Sequence, residues 1–285
     1  MTPERGLSIC LVLVATGGLA ACSGAAPAAS PAPGYGTIVA QVYGTPAQRR
    51  AADARAWWTS RLAAVECMRR AGQTYSIFGY NAPLDREYVA PGDLLAFAPA
   101  RQDLDVADEL IHESATRSVL NASARSVAAQ RCETESAAPA VSLVPDGQQA
   151  LSAELVDVLR KVQDATAPNL AGDYRTCMAA AGIPAADLAD LQARVKSAFP
   201  VAEAADEYNP RRVPGWAEGV AFERRAAADD AHCRKTAVET VRAAAAPQLV
   251  EFAHQHAAEL DRVAAGWAWI AVDARNAEHA AGPED

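Results

Sequence analysis

Hydrophobic residues along this chain recur mainly at spacings of three and four, which is the period of an amphipathic α-helix. The clearest case lies near the C-terminus, where one face collects Leu249, Phe252, His256, Leu260, Val263, Trp267 and Ile270. This pattern predicts a last helix that Pro247 opens and that runs to about residue 280. Its apolar face should pack on the rest of the chain or on a partner. A lone His in such a stripe is more often a packed core residue than a ligand.

The same reasoning predicts helices over much of the remaining chain. Thr45 and Pro46 form an N-cap and first-turn pair, which starts a helix that ends at Gly72. Further helices are predicted over 103–132, 148–166, through Cys177 to Gly182, about 185–198 and 216–246. The Pro-containing stretches 73–102 and 199–215 should be mostly loop, with a short strand at 75–78. Alanine supplies 69 of the 285 residues, which also favours helix.

The N-terminus has the features of an export signal. Arg5 precedes an apolar run from Leu7 to Ala21, which is shorter than the roughly 20 residues that span a bilayer. The run ends in L-A-A-C, which resembles the lipobox of bacterial lipoproteins, so Cys22 is predicted to carry the lipid. The alternative is an ordinary signal peptide cut after Ala21. Residues 1–21 are thus assigned to a lipoprotein signal peptide, and 22–44 to a Pro/Ala/Gly-rich, lipid-anchored tether.

Four further cysteines follow the tether, an even number that favours disulfide bonds outside the cytosol. Cys67 and Cys177 both begin the hexapeptide C-M-x-x-A-G, and each is followed by a second cysteine in a helical pattern. The simplest account is two copies of one module, each closed by its own bridge. We therefore predict the pairs Cys67–Cys132 and Cys177–Cys233. The cysteines lack the close spacing of zinc or redox motifs.

These features predict a mostly α-helical protein with two tandem disulfide-closed modules and a long amphipathic C-terminal helix. The first helical module covers 45–135, a linker covers 136–147, and the second module with the C-terminal helix covers 148–285. The uncharged run 263–272 contains Trp267 and Trp269, which are expected to pack in the core. A partner surface or a membrane interface is the alternative for this run.

The module pattern resembles a group of exported and lipid-anchored actinobacterial proteins of unknown function. Members carry a C-M-x-x-x-G turn and then an acidic, Ala-rich helix that ends in A-D-x-x-C. Here the second copy supplies both parts, with Asp230 or Asp229 in the acidic slot and Glu223 upstream. The first copy has Ala129-Gln130-Arg131-Cys132 and lacks the acid. The resemblance implies helical architecture and an envelope location, and it carries no activity.

Sequence motifs for catalysis or metal binding are weak. The chain lacks the phosphate-binding, dinucleotide-binding and hydrolase signatures. His112-Glu113 begins a zinc-protease-like motif whose second His is replaced by Thr116. Glu109/His112 and Glu251/His254 form two E-x-x-H pairs of the di-iron type, but they fall on polar faces. We therefore expect no catalytic residue, no metal site and no cofactor.

The net charge of −9 argues against a general nucleic-acid-binding protein. We predict a non-catalytic, interaction or structural lipoprotein on the outer face of the cytoplasmic membrane. Its partners would be the membrane, through lipidated Cys22, and an envelope protein or ligand. The alternative function is a small-molecule or lipid carrier with a cavity between the modules, lined by Tyr75, Phe78, Tyr80 and Tyr88. An enzyme is the least favoured class.

Overall fold

The computed structural model describes residues 34–73, 90–111, 113–114, 127–135, 143–200 and 210–281. These residues are mostly helical and contain no β-strand, which confirms the predicted mostly α-helical class. The helices are α1 (Tyr35–Tyr43), α2 (Pro46–Arg70), α3 (Val127–Glu135), α4 (Gln148–Thr166), α5 (Leu170–Ala180), α6 (Leu188–Ala198), α7 (Trp216–Gln255) and α8 (Ala257–Ala281). Short 3-10 turns lie at Leu95–Phe97 and Pro210–Arg212, and residues 106–111 are helical.

Several helix ends follow directly from local sequence. Thr45 caps α2 because its hydroxyl accepts from the N–H of Gln48, whose side chain in turn accepts from the N–H of Thr45. Helix α4 spans the same residues that its hydrophobic pattern predicts. The carboxylate of Asp187 caps α6 by accepting from the N–H of Asp190. The predicted strand at 75–78 lies outside the described residues, as does the middle of the helix predicted over 103–132.

The 40-residue helix α7 is the central element of the fold. Helices α1, α4, α5 and α6 and the turn at Leu95–Phe97 all contact it. Helix α8 follows α7 and lies along α2, which also carries α3. None of the described helices is both long enough and apolar enough to cross a bilayer.

One main hydrophobic core joins residues from both predicted modules. It includes Ala52 of α2, Leu155 of α4 and Leu191 of α6, as well as most of the buried face of α7 and α8. The described residues all fall within one compact unit, Pro33–Asp285. The two sequence copies thus contribute to a common interior, and their status as separate modules stays a prediction.

Helix α1 corrects the predicted tether. The sequence pattern places residues 35–43 in the tether, yet Ile38 and Val42 lie one turn apart and are both fully buried in the main core. The indole Nε1 of Trp267 donates to the carbonyl oxygen of Val42 at 3.2 Å. Burial of a short apolar face against α8 outweighs the low-complexity character of the neighbouring sequence. The prediction of a tether is therefore wrong over 35–43.

The prediction that Pro247 opens the last helix is also wrong, because α7 runs through Pro247 to Gln255. A proline inside a helix loses one backbone hydrogen bond and costs about 3 kcal/mol. That cost is offset by a continuous buried face on both sides of the proline, formed by Val241, Ala245, Leu249 and Phe252. The break between α7 and α8 comes instead at His256, whose φ is −109°.

The two helices share the predicted apolar stripe with one exception. Leu260, Val263, Trp267 and Ile270 are buried, whereas the side chain of His256 is 20% exposed. The imidazole Nε2 lies 3.3 Å from a carboxylate oxygen of Glu154, and the ring packs on Phe252. His256 sits at the edge of the core because the backbone leaves the helix at this residue.

The two tryptophans of the uncharged run have different environments. Trp267 is buried, as predicted, and Trp269 is 57% exposed. The guanidinium carbon of Arg55 lies 4.7 Å from the centroid of the Trp269 ring. The prediction that both tryptophans pack in the core is thus wrong for Trp269, because two residues of helix turn the side chain by about 200°.

Candidate functional site

Both copies of C-M-x-x-A-G end a helix with the same backbone turn. Gly72 and Gly182 have φ values of +68° and +81°, a left-handed conformation that favours glycine. In each copy the N–H after the glycine donates at 3.0 Å to the carbonyl of the motif methionine, Met68 or Met178. This is the Schellman pattern of helix termination. The repeated glycine therefore has a structural role in both copies, and the methionine side chains beside it are buried.

The disulfide pairing is the one that the repeat predicts. Cys67–Cys132 joins α2 to α3 with a Cα–Cα distance of 5.5 Å, and Cys177–Cys233 joins α5 to α7 at 5.7 Å. The first disulfide forms a small apolar cluster with Met68, apart from the main core. The second borders the main core, against which Cys233 packs.

A buried polar trio, formed by Tyr174, Asp230 and Arg234, lies beside the second disulfide. The Asp230 carboxylate accepts from the Tyr174 hydroxyl at 2.9 Å and from Arg234 Nε at 2.9 Å. All three side chains are almost fully buried. Burial, and then the negative charge of Asp230, raise the pKa of the Tyr174 phenol far above its ordinary value. The trio is therefore a neutralised, hydrogen-bonded unit inside the protein.

The sequence repeat explains where two members of the trio come from. Tyr174 and Asp230 each lie three residues before the cysteines of the second disulfide. The same positions of the first copy hold Ala64 and Ala129. Both partners of the contact thus differ together between the copies. The acidic position of A-D-x-x-C is Asp230, and its role here is to pair with buried Arg234.

Arg234 also fixes a segment that is distant in sequence, residues 93–99. Its guanidinium donates to the carbonyls of Leu95, Ala98 and Pro99 at 3.0, 2.8 and 3.2 Å. Gln163 of α4 accepts from the N–H of Ala96 at 3.1 Å. Side chains of α4 and α7 therefore satisfy the polar backbone of the 93–99 segment inside the core.

Glu223 of α7 likewise binds polar backbone groups, in residues 104–107, which follow the 93–99 segment. Its carboxylate accepts from the N–H groups of Leu104, Val106 and Ala107 at 2.6–3.1 Å, which caps the helical residues 106–111. The side chain is 1% exposed. Burial raises the pKa of Glu223, and the three N–H donors oppose that rise.

A cleft of about 260 Å³ lies where α1 and the start of α2 face the 93–99 segment and α7. We call it the α1 cleft. Its walls are mainly apolar, with two guanidinium groups among them, and include Tyr35, Val39, Ala40, Arg49, Phe97 and Arg242. Its walls come from both predicted modules and from the segment that the sequence had assigned to the tether.

Tyr35 and Arg242 are neighbours in the lining of the α1 cleft. The Tyr35 hydroxyl donates to the carbonyl of Phe97 at 3.1 Å, and the guanidinium carbon of Arg242 lies 5.3 Å from the Tyr35 ring centroid. Burial raises the pKa of Tyr35 to about 12, against the opposing charge of Arg242. Arg242 Nη2 lies 3.3 and 3.4 Å from the carbonyls of Phe97 and Ala98, while its buried Nε has no hydrogen-bond partner.

No family model, curated protein or solved structure matches this chain. The resemblance to exported actinobacterial proteins therefore stays a prediction. The geometry adds a physical reason for its motifs, since the turn glycine, the cysteines and Asp230 each make a defined contact.

The other residues singled out from the sequence do not form one site. Glu251 and His254 lie exposed on α7. Within the described ranges no group of three or more His, Cys, Asp or Glu side chains could hold a metal ion. The lipid-anchor candidate Cys22, the E-x-x-H member His112 and the aromatic residues proposed to line a cavity, Tyr75, Phe78, Tyr80 and Tyr88, lie outside the described residues.

Sequence reasoning missed Tyr174, Arg234, Arg242 and Tyr35. A signal for Tyr174 was present, because aligning the two copies on their cysteines places it opposite Ala64, as Asp230 lies opposite Ala129. The arginines gave no comparable signal. Their contacts with the 93–99 segment join residues more than 130 positions apart.

Proposed function

We propose that this chain is a non-catalytic lipoprotein of the cell envelope that presents a helical body to a partner. Lipidated Cys22 would hold it on the outer face of the cytoplasmic membrane. The observation that carries the proposal is the L-A-A-C sequence directly after a short apolar run, followed twelve residues later by a helical body that contains two disulfide bonds.

The short connection to α1 supports a membrane-proximal role. Residues 23–34 separate Cys22 from Tyr35, the first residue of α1. Twelve residues span at most about 40 Å when fully extended. A partner would therefore be met close to the membrane surface, within reach of other envelope proteins.

The use made of buried polar groups also supports a structural or interaction role. Asp230 and Arg234 neutralise each other and fix the 93–99 segment, and Glu223 caps the next helical residues. These charged groups are occupied by backbone and by one another. A partner would then contact the exposed surface, where Trp269 and Val272 lie one turn apart on α8, 57% and 48% exposed.

Lipid labelling tests the anchor. The full chain is expressed in a bacterium that processes lipoproteins, and cells are fed an alkyne analogue of palmitate. We expect label on the wild type and on Cys10→Ser, since Cys10 lies in the apolar run, and loss of label in Cys22→Ser. Equal label in all three proteins, or none in the wild type, would contradict the anchor.

Photo-crosslinking tests the interaction role. A benzoyl-phenylalanine at position 269 should give products of discrete mass on intact cells, because this position is exposed on α8. The same probe at Glu278, an exposed residue about 180° around α8 from Trp269, is the matched control. The absence of position-dependent products would count against an interaction surface here.

The alternative function is the binding of a small or lipid ligand between the two predicted modules. One observation favours it, namely that the walls of the α1 cleft come from both of them. This function and the lipid anchor are compatible, and they are tested separately.

A further inference from the structure

The α1 cleft combines apolar walls with the guanidinium group of Arg242. Val39, Ala40 and Phe97 supply carbon surface, and Arg242 enters from α7. At about 260 Å³ the cleft lies just below the usual range for drug-sized ligands, so it fits a small molecule.

The charge of Arg242 is not neutralised by a protein carboxylate among the described residues. Arg234, two turns earlier on α7, faces the same 93–99 segment and is paired with Asp230. Arg242 instead has only two long hydrogen bonds from Nη2, to carbonyls that Arg234 and the Tyr35 hydroxyl also use. The two arginines thus face the same backbone segment, and of the two only Arg234 has a carboxylate partner among the described residues.

A further donor of Arg242 is unused. Its Nε is buried without a hydrogen-bond partner. A buried donor left unpaired destabilises the folded state, and a ligand that accepts from it removes that cost. On one edge of a guanidinium the Nε–H is parallel to an N–H of Nη2, so a carboxylate on that edge would accept from both and would supply the counter-charge.

We propose that the α1 cleft binds a small amphipathic monocarboxylate. The carboxylate pairs with Arg242 beside Tyr35, and the hydrocarbon or aromatic body lies against Val39, Ala40 and Phe97. This inference deepens the alternative function of ligand binding and does not depend on the lipid anchor.

The second arginine in the lining of the cleft, Arg49, bears on how much negative charge a ligand should carry. Arg49 donates to the carbonyl of Gly44 at 2.5 Å, and its charge acts on Asp53, whose pKa it lowers against the larger, raising effect of burial. Arg49 is therefore engaged by its own neighbourhood. One uncompensated guanidinium favours a monoanion over a phosphate dianion, and the cleft volume excludes a two-chain lipid.

The test uses 4-fluorophenylacetate as the probe and the full chain in a non-ionic detergent, followed by ¹⁹F NMR. The neutral isostere 4-fluorophenylacetamide measures binding without the charge. We expect saturable binding of the carboxylate with a Kd below about 1 mM and at least tenfold weaker binding of the amide.

Three variants assign the binding to the cleft. Arg242→Gln and the cleft-filling Ala40→Leu should each weaken carboxylate binding at least tenfold, and Arg242→Lys should retain part of it. Arg275→Gln, which removes an exposed arginine from α8, should bind as the wild type does. Thermal unfolding of each variant shows whether it is folded. If Arg242→Gln does not fold, Ala40→Leu still tests the cleft.

Three results would overturn the proposal: no saturable carboxylate binding, binding that folded Arg242→Gln and Ala40→Leu both retain, or equal binding of the amide. Equal binding of the amide would refute the preference for a monocarboxylate, while the proposal that the protein binds a small ligand would still hold. Palmitate labelling is read independently, so failure of the anchor and failure of the cleft are distinguishable.

Discussion

Replacing Asp230 by Asn should strongly destabilise the protein while barely changing side-chain volume. Asp230 accepts from Tyr174 and Arg234, and both the carboxylate and the guanidinium are almost fully buried. The variant leaves the guanidinium charged, and its new amide N–H₂ group faces the donors of Arg234. Breaking a buried pair by removing one partner costs about 3–5 kcal/mol, and one oxygen acceptor remains, so we expect about 3 kcal/mol.

Two further variants set the scale for this loss. Tyr174→Phe removes only the hydroxyl donor, and a hydrogen bond to a charged group contributes about 1.5–3 kcal/mol. Asp229→Asn makes the same chemical change one residue earlier, at a half-buried position outside the trio. It should stay within about 0.5 kcal/mol of the wild type. The expected order of destabilisation is Asp230→Asn, then Tyr174→Phe, then Asp229→Asn.

Urea unfolding followed by far-ultraviolet circular dichroism, with both disulfides intact, gives the free energies of unfolding. The comparison holds if the dependence on urea is the same for all variants. A value for Asp230→Asn within about 1 kcal/mol of that for Asp229→Asn would refute the reasoning. It would mean that Arg234 finds water or another partner in place of the carboxylate.

Three further perturbations follow from the contacts described. Gly44→Ala should lower the free energy of unfolding by more than about 2 kcal/mol, because φ is +74° and an added Cβ would lie 2.8 Å from the Trp267 ring. Gly172→Ala, in open space on α5, should be neutral or stabilising in the same urea assay. Glu223 has a pKa raised above 4.5, so its native state keeps the proton to higher pH and wild-type stability falls as pH rises through that range. Glu223→Gln cannot titrate, so the stability advantage of the wild type over this variant should be larger at pH 4 than at pH 7. Replacing both cysteines of the first disulfide by Ser should speed amide exchange in α3 and the end of α2, because their cluster is separate from the main core.

Each of these perturbations has an outcome that contradicts it. Equal stability of Gly44→Ala and Gly172→Ala would contradict the close approach of Gly44 to the Trp267 ring. A pH response of Glu223→Gln equal to that of the wild type, with exposed Glu218→Gln as control, would mean that Glu223 keeps its ordinary pKa. Faster exchange throughout α7 after loss of the first disulfide would mean that its cluster supports the main core.

Local rules predicted the parts of the fold that depend on neighbouring residues. The Thr45–Pro46 start of α2, the full extent of α4 and the two glycine turns all follow from side-chain chemistry within one or two helical turns. The disulfide pairing followed from comparing the two copies of one motif. In these places local preference and tertiary packing agree.

Tertiary packing decided the rest. Burial of Ile38 and Val42 makes a helix of residues 35–43, and a continuous buried face carries α7 through Pro247. Neither feature could be predicted from the local pattern. Helix α1 packs on α8, where Trp267 is 225 positions from Val42. The path of α7 through Pro247 depends on buried residues that lie on both sides of the proline. The α1 cleft could not be predicted from the sequence for the same reason, because Tyr35 and Arg242 come into contact only in the folded chain.

The position of α1 determines how the protein would respond to mechanical load. If Cys22 is the anchor, any pull between the membrane and a bound partner enters the body at α1. Both disulfide-closed loops, 67–132 and 177–233, begin after α1 and leave it outside their cross-links. It is held by packing and by hydrogen bonds, such as those from Trp267 to Val42, from Tyr35 to Phe97 and from Ser152 to Tyr43, and neither disulfide ties it to the body. Helix α1 should therefore peel away first under force, lengthening the connection and opening the cleft while the cross-linked body stays folded.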